Sequence, residues 1–324
     1  MFEYFPENYM WSSAVLLSLM AGGQLGQIDH SLAVLREAAR NGGKPDPHAW
    51  TTAWDSMATQ QETQAVVDAN NGYHRSASAR YLHAAIYHLT GERQTAPGPE
   101  KANSYESALS AFAKAIEQMP RPLERVEVDS PDGVLPGYLI PARSESPTPV
   151  VIFYSGFDVT KELLYGIIRE EFADRGMACL VIDTPGTGEP LRLRGVPSRP
   201  DYEVPTKAIV DYAQSRGDLD PERIGLLGIS LGGYYAPRGA AYEHRIKAVA
   251  AWGGVWDYGA IWQRRWDTRS KNTSVPFWQL PWVMGIFTIA DGGSEHVEAD
   301  DPDPTRQLIV DWFAHKLRAE PAAA

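Results

Sequence analysis

The stretch Arg223-Ile224-Gly225-Leu226-Leu227-Gly228-Ile229-Ser230-Leu231-Gly232-Gly233 constrains the fold more than any other part of the chain. Its apolar run, Ile224 to Ile229, leads straight into Gly228-Ile229-Ser230-Leu231-Gly232, a G-x-S-x-G pattern. In such a pattern a buried strand turns sharply into a helix and lifts a serine out of the sheet. Gly228 and Gly232 leave room for backbones that pass close to the turn. The small-residue run Gly232-Gly233-Tyr234-Tyr235-Ala236 suits the start of a close-packed helix. The competing reading is a glycine-rich turn that carries a solvated serine.

The flanking sequence supports the elbow. Pro149–Tyr154, Met177–Ile182 and Ile246–Trp252 are further continuous apolar runs with helical stretches between them, near Lys161–Arg175, near Thr206–Gln214 and after Gly232. Strands buried on both faces and separated by helices predict a parallel, doubly wound α/β sheet. Arg125–Val128 and Leu135–Ile140, around the turn Ser130-Pro131-Asp132-Gly133, predict a preceding hairpin. Residues 1–120 read as a separate helical domain, with Ile28, Leu32 and Leu35, and later Leu109, Phe112 and Ile116, at helical spacing. Gly91 is expected to end the helix that holds Tyr81–Leu89. Residues 121–324 then form the sheet domain. Within it, the Trp- and Arg-rich residues 257–284 read as a lid-like insertion, and Gly285–Ala290 as a last short strand. Arg306–Leu317 closes as an amphipathic helix with Leu308, Ile309, Trp312, Phe313 and Leu317 on its apolar side.

Composition removes several classes of function. A formal net charge of −11 argues against a nucleic-acid partner and against an anionic membrane surface. The single cysteine, Cys179, excludes an intramolecular disulfide and a Cys-cluster metal site, and it reads as a buried strand thiol. The apolar run Val15–Met20 follows Glu3 and Glu7 with no Lys or Arg before it, so it reads as a core helix of a cytoplasmic protein, not as a signal peptide or membrane span.

A serine hydroxyl needs a base that takes its proton as it attacks. His296 is the candidate, because it follows the last expected strand and precedes the closing helix, the chain order such sheets use. The other histidines read as surface or core residues, although His74 is a candidate for substrate contact, as are Tyr73 beside it and Trp262 in the lid-like insertion. Backbone N–H groups must stabilise the oxyanion that attack creates. Leu231, after the nucleophile, supplies one. The loop Ser155-Gly156-Phe157-Asp158 supplies the other, with Phe157 the first candidate and Asp158 the second. This chemistry calls for a small-molecule substrate and no metal or organic cofactor.

Four stretches together resemble one family: Tyr154-Ser155-Gly156-Phe157-Asp158-Val159-Thr160-Lys161-Glu162, Asp183-Thr184-Pro185-Gly186-Thr187-Gly188-Glu189, Gly228–Gly233, and Gly292-Gly293-Ser294-Glu295-His296. They are similar to the α/β-hydrolases of the FrsA-like esterase group, in the branch of 2,6-dihydroxypseudooxynicotine hydrolase and the fungal polyketide-shortening hydrolases. The helical part, including Tyr9-Met10-Trp11-Ser12 and Tyr81-Leu82-His83-Ala84-Ala85, is similar to theirs too. The resemblance implies an α/β-hydrolase fold with an N-terminal helical domain. It also implies hydrolysis of a C–C bond between carbonyls, a pocket between the two parts and, often, a homodimer.

The chain departs from that pattern at the triad acid. The strand that should carry the acid has no match, as if a segment were absent near residues 284–287. Asp257, after the Ile246–Trp252 strand, is the substitute candidate, with Asp291 behind it; Asp183 reads as structural. Three readings stay open: a C–C hydrolase, a carboxylesterase or acyl-peptidase with the same serine and histidine, and a binding protein on a hydrolase scaffold.

Overall fold

The computed structural model describes residues 4–5, 8–44, 46–254, 257, 259–260 and 303–319. The chain divides into two units, Met1–Pro122 with Tyr165–Ile167, and Leu123–Leu164 with Ile168–Ala324.

Among the described residues, the first unit has five helices, α1 (Tyr9–Met20), α2 (Leu25–Arg40), α3 (Pro47–Asn70), α4 (His74–Arg93) and α5 (Pro99–Glu117). Local chemistry sets several of their starts. Asn8 caps α1 by accepting from Trp11 N–H at 3.1 Å, and Asp46 caps α3 by accepting from His48 and Ala49 N–H, with Pro47 in the first turn. Aromatic edges fill the interior, where Phe5, Trp11, Trp50, Trp54 and Tyr87 pack in succession. Gly91 does not end α4, which runs on to Arg93. A Cβ at Gly91 would lie 2.9 Å from Trp54 Cβ, so this glycine serves the close approach of α3 to α4. A polar network also crosses the bundle. His88 on α4 binds Asp55 Oδ1 at 2.7 Å and Glu62 Oε1 at 3.1 Å, both on α3, while Ser104 and Lys114 on α5 bind the remaining carboxylate oxygens.

Among the described residues, the second unit holds six strands, β1 (Glu124–Val128), β2 (Leu135–Ile140), β3 (Thr148–Tyr154), β4 (Ala178–Ile182), β5 (Leu219–Ile229) and β6 (Ile246–Trp252), in spatial order β1-β2-β4-β3-β5-β6. The β1–β2 and β2–β4 pairs are antiparallel, and β4, β3, β5 and β6 run parallel. Its helices among the described residues are α6 (Lys161–Ile168), α7 (Glu171–Asp174), α8 (Gly188–Arg194), α9 (Glu203–Ser215), α10 (Gly232–Tyr242) and α11 (Asp303–Lys316). Successive strand residues face opposite sides, and β5 shows both. Ile224 and Leu226 pack into the cluster that Ile209, Val210, Tyr235 and Ala236 of α9 and α10 complete. On the other face, the absent side chain of Gly225 admits the Phe313 ring of α11. Cys179 is fully buried, and burial pushes its thiol well up.

Three further details differ from the sequence reading. The expected helix over Lys161–Arg175 is two, α6 and α7, separated at Arg169, whose φ of 44° breaks the ladder. The short helix α8 was not expected. The buried side of α11 is Val310, Phe313 and Leu317, whereas Leu308 and Trp312 are exposed. Among the described residues, no helix is long and apolar enough to cross a membrane.

Candidate active site

The site is assembled by backbones that approach one another more closely than side chains permit. At the end of β5, Ser230 adopts φ 58°, left-handed for an L-residue. Its N–H donates to Trp252 O at 2.8 Å, and its carbonyl accepts from Gly233 N–H at 2.9 Å. The strand thus stays tied to β6 while the chain reverses into α10. A Cβ on Gly228 would fall 2.0 Å from Gly232 O, and one on Gly232 would fall 2.5 Å from Ser155 O. Only glycine fits either place.

The loop after β3 lies against the serine. The Cβ position of Gly156 is 3.0 Å from Ser230 Cβ and 3.4 Å from its Oγ. Phe157, the next residue, is half-buried and packs against the core cluster of the sheet. Leu231 is buried, and among the described residues its N–H has no acceptor. It opens α10 in helical geometry, φ −62° and ψ −33°, where an unsatisfied N–H favours negative charge.

Ser230, Leu231 and the Gly156-Phe157 turn therefore share one corner of the sheet unit. Asp257 is exposed and accepts from Ala260 N–H at 2.8 Å. His296, Trp262, Asp291, the insertion from residue 261 to 284, the expected Gly285–Ala290 strand and the 284–287 junction lie outside the described residues. His74 and Tyr73 belong to the helical unit. There they line a groove of about 750 Å³ with Glu117, Gln118 and Pro120; both are exposed, and His74 Nδ1 lies 2.7 Å from Gln118 Oε1.

A buried ion cluster beside this corner was missed as a unit in the sequence. Lys161, at the start of α6, places Nζ 2.6 Å from Glu162 Oε1, 3.0 Å from Asp183 Oδ2 and 2.6 Å from Glu189 Oε1. Arg125 holds Glu189 with two bonds of 3.1 Å. Burial works to raise the Glu189 carboxyl, but the charge of Lys161 and the bonds from Arg125 and Lys161 outweigh it and hold it down at about 2. Glu162 is pushed up, chiefly by burial. The signal available in the sequence was charge next to strands: Lys161-Glu162 follows the β3 loop, and Asp183 ends the apolar β4.

A parallel sheet wound on both faces, with a serine held at positive φ on the strand-to-helix turn, is the arrangement of an α/β-hydrolase. Comparison with known proteins agrees. The family model described as "Esterase FrsA-like" matches residues 43–258. The α/β hydrolase gkaG of Penicillium citrinum is 31% identical over 296 residues, covering 86% of this chain. The 20-hydroxy-prefusarin hydrolase FUS2 of Gibberella moniliformis is 31% identical over 281 residues, covering 81% of this chain. The chain spans 66% of the length of gkaG and 65% of that of FUS2. The crystal structure of 2,6-dihydroxy-pseudo-oxynicotine hydrolase superposes with a TM-score of 0.72 at 23% identity, covering 94% of this chain and 95% of that one, which shows a shared fold. The chain belongs to the FrsA-like esterase family.

Proposed function

We propose that the protein is a serine hydrolase that cleaves a C–C bond next to a carbonyl in an aromatic or polyketide-like small molecule. The observation that carries the reading is Ser230, held at φ 58° with the β3 loop packed against it. Such a backbone costs roughly 1–2 kcal/mol for an L-residue, and strain of this kind gathers at functional positions. The hydrolases gkaG and FUS2 support the class, and the resemblance to C–C-cleaving members of the family supports the bond type.

In this reading Ser230 Oγ attacks the carbonyl carbon while His296 takes its proton, with Asp257 as the candidate that orients the imidazole. The Leu231 and Phe157 N–H groups hold the oxyanion. The C–C bond then breaks, its electron pair leaves with the departing carbon as an enolate or electron-rich aryl anion, and the imidazolium returns a proton to that carbon. Water adds to the acyl-enzyme, releasing a carboxylic acid and restoring the hydroxyl.

A simple carboxylesterase is the second reading, favoured by the family's description as an esterase. Parallel assays of aryl esters and aryl 1,3-diketones separate the two. The C–C reading expects the diketones to be split into acid and ketone, a reaction lost in Ser230→Ala. Turnover confined to esters would leave the esterase reading in its place.

A further inference from the structure

We propose that Lys161 and Asp183 form a positioning clamp that fixes the Ser155–Thr160 loop against Ser230, and so set the rate of the chemical step without touching the substrate. This inference rests on the reading of Ser230 as nucleophile.

Lys161 and Asp183 are both completely buried. Removing charges from water costs several kcal/mol per ion, so such a cluster persists only when each charge is answered. Here it is. Lys161 meets Asp183 and Glu189, Arg125 meets Glu189 as well, and burial pushes the Glu162 carboxyl up.

Asp183 spends its carboxylate on the backbone of two other segments. Oδ1 accepts from Lys161 N–H at 2.9 Å, which pins the start of α6. Oδ2 accepts from Lys161 Nζ at 3.0 Å and from Glu189 N–H at 3.2 Å, which pins the start of α8. Gly188, at φ 41°, closes the seat, because a Cβ there would lie 1.9 Å from Asp183 Cγ. The carboxylate that ends β4 therefore holds the far end of the loop that begins at the end of β3.

Lys161 is four residues from Phe157 and five from Gly156. A Cβ built on Gly156 would fall 3.0 Å from Ser230 Cβ, so the loop passes the serine with no room for a side chain between them. Releasing its far end moves the Phe157 N–H relative to the oxyanion. A displacement near 1 Å costs on the order of 10²-fold in rate, and loss of one oxyanion donor costs about 10²–10³-fold. A change felt only in the transition state lowers kcat and leaves KM in place.

The test uses the full chain, with p-nitrophenyl butyrate turnover normalised to the sites that a fluorophosphonate titrates. Lys161→Met and Asp183→Asn should lower kcat per titrated site about 10–100-fold with KM within about 3-fold. They should weaken inhibition by an aryl trifluoromethyl ketone, which mimics the oxyanion, by a matching factor. Glu189→Gln, at the part-exposed rim of the cluster, should give a smaller loss of the same kind, and it carries the test if the buried variants do not fold. Val126→Ala on β1 serves as the control that lowers Tm without altering kcat per site. Unchanged kcat per site in the folded variants, whatever their Tm, overturns the clamp and leaves the cluster as a brace for the fold. A wild-type chain that neither reacts with the phosphonate nor turns over the ester overturns the Ser230 reading instead.

Discussion

Ser230 occupies a backbone region that glycine enters freely and other residues enter at a cost. Ser230→Gly should therefore abolish hydrolysis yet raise the unfolding free energy by up to ~1 kcal/mol, the relief of left-handed strain less the greater chain entropy of glycine. Urea unfolding checks this, and a glycine variant less stable than wild type would contradict the strain. The opposite holds at Gly232. A methyl group there meets Ser155 O and Tyr154 O, so Gly232→Ala should cost ~2–3 kcal/mol and remove activity with it. Both positions were legible in the sequence, because G-x-S-x-G names the residues that the turn requires. The partners of Lys161 were not. Nothing in the spacing of Glu162, Asp183 and Glu189 says that three loops bring them to one ammonium.

Elements are decided by which face is covered, and α11 shows where periodicity stops informing. Its apolar residues Leu308, Ile309, Val310, Trp312, Phe313 and Leu317 spread over an arc of about 200° at 3.6 residues per turn, so the sequence shows an apolar side but not which part of it is covered. The choice is made by β5, where Gly225 leaves a gap that the Phe313 ring fills. Phe313→Ala should cost ~3–5 kcal/mol and Leu308→Ala less than about 0.5 kcal/mol. Comparable losses from the two variants, measured by chemical denaturation, would refute this assignment of faces. The elbow strand and its neighbours were easier to read, since a strand buried on both faces is a continuous apolar run whatever lies above it. Gly91 misled for the converse reason. Its role is set by Trp54 on another helix, and no local rule shows it.

At the scale of the whole molecule, stability should decline on both sides of neutrality for separate reasons. Glu189 titrates near 2 in the fold, below the ordinary value of about 4.3. Its contribution is present above pH ~4.3 and is lost as pH falls toward 2. His88 is the reverse. Burial works to lower it, but the bonds to Asp55 and Glu62 outweigh burial and raise it. Its contribution is complete below the unfolded value of about 6.5 and is lost as pH rises through the raised folded value. Thermal unfolding of wild type against Glu189→Gln should differ by less at pH 3 than at pH 6, and against His88→Gln by less at pH 9 than at pH 6. Differences that do not change with pH would refute these couplings. The class of fold and its family were visible from the chain itself, because short motifs carry them, and three of these, Tyr154–Glu162, Asp183–Glu189 and Gly228–Gly233, follow directly on strands. The bond that is cleaved was not visible, because the acyl-enzyme half of the reaction is common to esters and ketones.

The most direct measurement is mass spectrometry of the native chain after reaction with a fluorophosphonate probe. The account predicts one adduct per chain, on the peptide that carries Ser230, and none on Ser230→Ala with an unaltered unfolding transition. A folded chain that takes up no probe, or takes it up on another residue, would contradict it.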